Sequence, residues 1–84
     1  MEGILAITGA SGVIYGIKLL ENIGGNVHLI ISESAKKIIS DETNYEIDTL
    51  SKYAYKVYKN NEMEAAIASG SYLFDYMIIC PATI

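Results

Sequence analysis

The residue types best suited to chemistry lie in a glycine-rich stretch near the start of this chain, Gly9-Ala10-Ser11-Gly12. The stretch follows an apolar run and precedes an amphipathic segment, which predicts a turn between a strand and a helix. Backbone N–H groups at the start of a helix attract anions, and the Ser11 hydroxyl adds another donor. The stretch therefore predicts a site for a phosphate or a similar anion. A tight turn that binds no ligand is the alternative.

The glycine spacing leaves the identity of that ligand open. Gly9, Gly12 and Gly16 form the pattern G-x-x-G-x-x-x-G, whereas the dinucleotide fingerprint is G-x-G-x-x-G. The pattern is closer to the T-G-x-x-G-x-x-G of extended short-chain dehydrogenases, but its third glycine comes one residue late. An NAD site also needs an acidic residue about 20 positions further on, for which Glu33 is the candidate. An NAD-dependent dehydrogenase therefore stays open beside a phosphate or flavin site.

Polar residues also follow two later apolar runs. Ser32 comes directly after the run 27–31, and Thr83 comes just after the run 76–80. Ser32 is expected to contact a phosphate or flavin, to cap the next helix, or both, and Ser34 is the alternative cap. If the strands ending before Ser32 and Thr83 flank the first strand, all three loops share one crevice.

The remaining reactive residue types have plainer interpretations. Glu42 lies in a polar stretch and fits a solvated helix end, and Ser69-Gly70-Ser71 fits a helix stop. Cys80 is expected in the core of a buried strand. His28 lies in the middle of an apolar run, with no acid or nucleophile at motif spacing, and is expected to be structural.

The elements that must position these residues alternate along the chain as β–α–β–α–(α)–β. Apolar runs predict strands, and helical spacing of apolar residues predicts helices. Strands are predicted at 3–8, 27–31 and 76–80, helices at 13–23, 33–39, near 48–53 and at 62–68, and a short extended piece near 55–58. Asn60 or Asn61 is expected to cap the last helix. This alternation predicts an α/β fold, a doubly wound (Rossmann/flavodoxin-like) parallel sheet with helices on both faces. Such sheets bind ligands beyond the carboxyl ends of their strands, where the strand order reverses.

Composition narrows the classes of protein. The chain has 84 residues, a net charge of −4 and six lysines without arginine, which argues against a nucleic-acid binder. One cysteine and one histidine support neither a disulfide framework nor a zinc site of the usual type. No apolar run reaches about 18 residues, and the start carries Glu2 without a basic region, so we expect neither a membrane span nor a signal peptide but a cytoplasmic protein. The chain is 51% hydrophobic and 19% charged, which suits a single domain that buries surface against further polypeptide.

Five blocks of the sequence, taken in order, closely resemble the flavin prenyltransferases (UbiX-like). The first block is Thr8-Gly9-Ala10-Ser11-Gly12-Val13-Ile14-Tyr15-Gly16. The others are residues 28–35, 41–43, 66–71 and 77–84, so the resemblance covers essentially the whole chain. It implies that residues 1–84 are the N-terminal part of a single FMN-binding flavoprotein domain. It also implies that the site holds no metal and that this part is inactive alone.

The resemblance also implies a reaction. These enzymes bind FMN and transfer a dimethylallyl group from dimethylallyl phosphate to the flavin, which gains a fourth ring. The product, prenylated FMN, serves UbiD-like decarboxylases, and an older label for members is aromatic acid or polyprenyl-hydroxybenzoate decarboxylase. The family forms homo-oligomers, typically dodecamers, with sites at subunit interfaces.

Site residues follow from the resemblance position by position. The implied cofactor-binding residues are Gly9, Ala10, Ser11, Ser32, Thr83 and Ile84. Ser11 and Glu42 are the implied catalytic residues, Glu42 matching a glutamate with an acid–base role. The segment Ser69-Gly70-Ser71 matches one near the site or a subunit contact. Ala82 departs from members that carry cysteine there, and the later cationic residues that hold the prenyl phosphate have no counterpart in these 84 residues.

Two other functions stay open. Flavoproteins that decarboxylate phosphopantothenoylcysteine share the architecture, but they lack the Ala-Ser-Gly-x-x-Tyr-Gly continuation and carry a catalytic histidine without a counterpart here. The second is a nucleotide-binding module that binds without catalysis.

Overall fold

A four-stranded parallel sheet forms the centre of the fold in the computed structural model, which describes residues 1–9, 13–70 and 73–80. The strands are β1 (Glu2–Ile7), β2 (Asn26–Ile31), β3 (Lys56–Tyr58) and β4 (Tyr76–Cys80). The helices are α1 (Val13–Ile23), α2 (Glu33–Glu42), α3 (Ile47–Ser51) and α4 (Asn60–Ser69). The strand order is β3-β2-β1-β4. The predicted α/β fold with a parallel sheet is therefore confirmed.

The central strand β1 pairs with β2 on one side and with β4 on the other. Leu5 lies opposite both Leu29 and Ile78 in the two registers. The chain steps outward from β1 to β2 to β3 and then returns past β1 to β4, so the strand order reverses at β1. This is the arrangement that brings the loops after β1, β2 and β4 to one crevice.

Helices cover both faces of the sheet because the last crossover, from β3 to β4, runs in the opposite direction to the first two. Right-handed crossovers from β1 to β3 put α1, α2 and α3 on one face, and the return to β4 puts α4 on the other. The first face buries Leu5, Ile17, Leu29, Ile39 and Leu50 completely, with other apolar side chains around them. A smaller cluster under α4 contains Ile4, Tyr58 and Met63.

Gly16 allows α1 to lie close to the sheet. A Cβ atom at this position would be 3.1 Å from Ile7 Cγ1 and 3.5 Å from Cys80 Cβ. Close packing of helix on strand is what the third glycine of a dinucleotide fingerprint provides, so Gly16 has that role despite its shifted spacing. Gly24 follows the helix with a φ of +70°, which confirms the predicted helix stop.

The structure differs from the sequence predictions mainly between β2 and α4. The predicted extended piece is a true strand, β3, and it forms one edge of the sheet beside β2. The helix α2 continues to Glu42 rather than ending near residue 39. The prediction that Asn60 or Asn61 caps α4 is wrong, because the helix starts at Asn60 and the Glu62 carboxylate accepts the Lys59 backbone N–H at 3.0 Å.

The strand β4 is apolar on both faces, but only one face is well covered. Ile78 and Cys80 pack against the core under α1. Met77 and Ile79, on the face of α4, are 54% and 51% exposed. None of the described strands pairs with the outer edge of β4. Within residues 1–9, 13–70 and 73–80, no helix is long and apolar enough to cross a membrane.

Candidate functional site

The carboxyl ends of β1, β2 and β4 meet at one edge of the sheet. The Ser32 backbone N–H donates to the Ile7 carbonyl at 3.0 Å, and the Thr8 N–H donates to the Cys80 carbonyl at 3.1 Å. These two hydrogen bonds continue the strand pairing up to the points where the three loops leave the sheet. The sequence prediction that these loops share an edge is therefore confirmed for the described starts of the loops after β1 and β2, whereas the residues after Cys80 lie outside the described part of the chain.

Gly9, the last described residue after β1, lies directly against the start of α2. A Cβ atom on Gly9 would overlap the Ser34 hydroxyl, so a side chain cannot be accommodated here without a shift of the loop or the helix. The Ser34 and Ser32 hydroxyls are 3.3 Å apart. The structure thus brings together two of the predicted site residues, Gly9 and Ser32.

Ser32 is the N-cap of α2, as one of its two interpretations predicted. Its Oγ accepts the Ala35 backbone N–H at 3.1 Å, and its backbone is extended, with φ of −65° and ψ of 156°. Capping uses the hydroxyl as an acceptor only. The hydroxyl hydrogen can still donate to a neighbouring oxygen, so the cap leaves Ser32 able to contact an anionic ligand.

An open cavity of about 300 Å³ lies beside Ser32 at the ends of β2 and β3. Its lining residues are Ile31, Ser32, Glu33, Lys36, Lys59 and Asn61. Lys36 pairs with the Glu33 carboxylate at 3.3 Å, and Lys59 follows β3 directly. Two ammonium groups and a hydroxyl at the start of a helix suit an anionic group such as a phosphate.

Sequence reasoning missed both lysines of this cavity. Lys36 lies one helical turn after Ser32, which is a signal once Ser32 is recognised as the cap. Lys59 reaches the carboxyl edge only because β3 belongs to the sheet. A three-residue strand carries too little periodicity to be recognised with confidence from sequence.

Glu42 does not lie with Gly9 and Ser32. It is the exposed last residue of α2, whereas Ser32 precedes the first residue. At 1.5 Å per residue the two ends of this helix are about 14 Å apart. Ser69 is the last residue of α4, and Gly70 follows it in a left-handed conformation, with φ of +67°. Within one chain, the structure therefore leaves these two implied site segments away from the carboxyl edge.

His28 is enclosed in the middle of β2, away from the carboxyl edge. Its side chain is fully buried, with Nε2 at 2.7 Å from the Glu2 carboxylate and Nδ1 at 2.8 Å from the Tyr58 hydroxyl. The chain's one histidine therefore does not reach the carboxyl edge, and the structural role predicted for it is confirmed. The predicted roles of Ala10, Ser11, Thr83 and Ile84, and of Ser71, fall outside the described residues.

Comparison with known proteins identifies relatives across the whole chain. The family model described as Flavoprotein matches residues 2–84. The flavin prenyltransferase UbiX of Thermoplasma acidophilum is 41% identical, with 100% of this chain and 47% of the relative covered. The flavin prenyltransferase LpdB of Lactiplantibacillus plantarum is 45% identical, with 95% of this chain and 45% of the relative covered. The chain thus spans about half the length of these relatives.

Solved structures give the same fold. AnUbiX in complex with FMN and dimethylallyl pyrophosphate superposes with a TM-score of 0.84 at 34% identity, covering 96% of this chain and 45% of that chain. A dodecameric FMN-dependent UbiX-like decarboxylase from Escherichia coli O157:H7 superposes with a TM-score of 0.86 at 32% identity, covering 98% and 47%. The described sheet and helices therefore match the corresponding part of these proteins.

Proposed function

Because this chain belongs to the flavoprotein family, we propose that the protein is a flavin prenyltransferase that transfers a dimethylallyl group from a prenyl phosphate to FMN. The observation that carries the proposal is the meeting of Gly9, Ser32 and the end of β4 at one edge of the sheet. Open α/β sheets bind their ligands at this edge. The relatives named flavin prenyltransferases match nearly the whole chain, which supports this reaction over others on the same fold.

The residues at this edge suit FMN. The start of α2 and the ammonium groups of Lys36 and Lys59 favour a phosphate beside Ser32, and Gly9 lets the first loop approach closely. By the resemblance, Ala10, Ser11, Thr83 and Ile84 complete the set. When bound, reduced flavin supplies the nucleophilic ring atoms for the prenyl transfer.

The part of this chain's residues in the reaction is to bind and orient. Ser32 and the lysines fix one end of the flavin, which holds the ring in a constant position relative to the donor. Ser11 donates a hydrogen bond where negative charge develops on the leaving phosphate. The contribution of Ser11 to catalysis is thus separable from binding, and removal of its hydroxyl lowers turnover more than FMN affinity.

We further propose that Glu42 acts in the site of a neighbouring subunit. It is exposed at the end of α2, so in its own chain it is about 15 Å from Ser32 along the helix axis. A homo-oligomer resolves this separation, since it can bring the end of one chain's α2 to the carboxyl edge of another. The Escherichia coli neighbour described as dodecameric supports such an assembly.

The 84 residues are, in this proposal, one part of a single FMN-binding domain. The exposed Met77 and Ile79 on β4 support this, because apolar faces of parallel strands are normally covered by further elements. The prenylated FMN would pass to a UbiD-like decarboxylase. A cytoplasmic location suits a chain whose only cysteine is Cys80.

The test uses the full-length protein with reduced FMN under anaerobic conditions. Dimethylallyl phosphate and dimethylallyl pyrophosphate are offered separately, and the flavin is released and analysed by absorbance and mass. We expect the flavin to gain the mass of one prenyl unit with at least one donor, and no change without a donor. Unchanged flavin with both donors would overturn the proposal.

Parallel assays on the same full-length protein separate the alternatives. Bound but unchanged FMN would favour a nucleotide-binding module, and bound NAD would favour a dehydrogenase. Release of CO₂ from phosphopantothenoylcysteine would favour the cysteine decarboxylase. The enclosed position of His28 argues against that last alternative, since the one histidine of these residues is held by Glu2 and Tyr58.

A further inference from the structure

A polar cluster, buried at His28 and Tyr58 and partly exposed at Glu2, joins three strands across the sheet. His28 on β2 makes hydrogen bonds through both ring nitrogens, to Glu2 on β1 at 2.7 Å and to Tyr58 on β3 at 2.8 Å. His28 is 0% exposed and Tyr58 is 4% exposed. Phe74 packs edge-on against the histidine ring with ring centres 5.0 Å apart. The cluster is therefore enclosed and bonded on both sides.

The donors and acceptors of the cluster match when Glu2 is ionised. A carboxylate only accepts, so His28 donates its Nε2–H to Glu2, and Nδ1 can then accept the Tyr58 O–H. Asn26 donates a further hydrogen bond to the other Glu2 carboxylate oxygen at 3.3 Å. Loss of any one partner leaves a buried polar atom without its bond, which is costly in an apolar site.

The cluster can form in the observed strand register but not in a register shifted by two residues. Ile4 lies opposite His28, and Ile30 lies opposite Tyr58, so Glu2 and Tyr58 are each one same-face step away from the histidine. A slip of two residues would keep apolar side chains on the same face, because the strands are apolar throughout. That slip would move Glu2 by about 6.6 Å relative to His28 and break the cluster.

We propose that Glu2, His28 and Tyr58 form a clasp that fixes the register of β1, β2 and β3 and that opens in acid. The clasp matters most for β3, which has three residues and lies at the edge of the sheet. His28 and Tyr58 therefore act on the pairing of β2 with β3, whereas Ser32 and Lys59 follow the carboxyl ends of these strands.

The charged and titratable groups around the clasp define its response to pH. The hydrogen bond from His28 holds the pKa of Glu2 below its ordinary value, against the opposing effect of burial, with Asn26 and the amino terminus adding to the lowering. Asp75 accepts the Glu2 backbone N–H at 2.7 Å. Lys56 lies 4.8 Å from the Tyr58 ring centre, and the Tyr55 ring centre is 5.3 Å from that of His28.

The direction of the pH effect follows from the lowered pKa of Glu2. A carboxyl group whose pKa is lower in the folded state contributes stability at pH values above its unfolded pKa, which is about 4.3. That contribution is lost as the pH falls through the folded pKa. The clasp therefore holds at neutral pH and weakens in acid, starting below about pH 5.

The test is hydrogen exchange of the amides of residues 55–58 in the full-length protein, corrected for the intrinsic exchange rate at each pH. Tyr58→Phe removes the hydroxyl that bonds His28, and we expect exchange about five- to tenfold faster at pH 7. Tyr55→Phe is the matched control, since it removes a neighbouring hydroxyl that is on a 58% exposed ring. We expect that variant to stay within about twofold of the wild type.

Glu2→Gln tests the acid response. In the wild type, protection of these amides should fall between about pH 5 and pH 3, and in Glu2→Gln most of that loss should disappear because the residue no longer titrates. Equal exchange in Tyr58→Phe and Tyr55→Phe would overturn the clasp. An acid response in Glu2→Gln as large as in the wild type would overturn its pH sensitivity.

Discussion

Replacing Ser32 by alanine and by aspartate in the full-length protein is expected to separate its two roles. Ser32→Ala removes the acceptor of the Ala35 N–H and should lower the free energy of unfolding by about 1 kcal/mol. Ser32→Asp keeps an N-cap acceptor of equal quality and adds a negative charge at the positive end of α2, so stability should stay within about 0.5 kcal/mol.

The same two changes should have the opposite order of effect on FMN affinity. Alanine removes one hydrogen-bond donor, worth about 0.5–1.5 kcal/mol. Aspartate places a carboxylate in the cavity that Lys36 and Lys59 make favourable for a phosphate. Two like charges about 4 Å apart repel by about 1–4 kcal/mol at the edge of a protein, so FMN should bind at least about fivefold more weakly.

The assays are urea denaturation of the FMN-free protein and titration of FMN followed by its fluorescence. Ser40→Asp is the control, since it makes the same chemical change at an exposed position near the other end of α2. FMN affinity in Ser32→Asp equal to that of the control would refute the phosphate beside Ser32. An unfolding free energy in Ser32→Ala equal to that of the wild type would refute the capping argument.

Three further predictions concern the site and its support. Lys59→Met should weaken FMN binding about fivefold or more in the same titration, while Lys56→Met, three positions earlier at the start of β3, should leave it within twofold. Gly16→Val should lower the free energy of unfolding by about 1–3 kcal/mol in urea, because its side chain has no room against β1 and β4, and an unchanged midpoint would contradict this. Glu42→Gln and Ser11→Ala variants, each inactive, should recover about a quarter of wild-type prenylation when co-assembled, and no recovery would place Glu42 in its own chain's site.

The sequence was most informative where the sheet is buried on both faces. A continuous apolar run with few polar residues is the mark of such strands, and β2 covers the predicted residues 27–31. The strand β3 gave a weaker signal because Lys56 and Val57 are exposed and only Tyr58 is buried. Its membership in the sheet depends on pairing with β2, which local sequence does not encode.

Some residues of the candidate site could likewise be predicted from the sequence, and others could not. Gly9 and Ser32 were predictable because each follows a strand closely, and parallel strands end at a common edge. Lys59 was not, since its position depends on β3. The separation of Glu42 from Ser32 follows from the length of α2, which sequence periodicity underestimated by three residues. The Glu2–His28 contact joins residues 26 positions apart and required the strand register.

The sheet carries polar groups of two kinds, and this predicts a separation of stability from ligand binding. Within the sheet, the polar atoms of Glu2, His28 and Tyr58 bond to one another and are largely enclosed, so they stabilise the pairing of the strands. At the carboxyl end, Ser32 and Lys59 border an open cavity. Variants of the first group should therefore change the unfolding free energy at constant FMN affinity of the folded protein. A Tyr58→Phe protein that binds FMN as weakly as Lys59→Met would show instead that strand alignment, rather than local charge, governs the ligand edge.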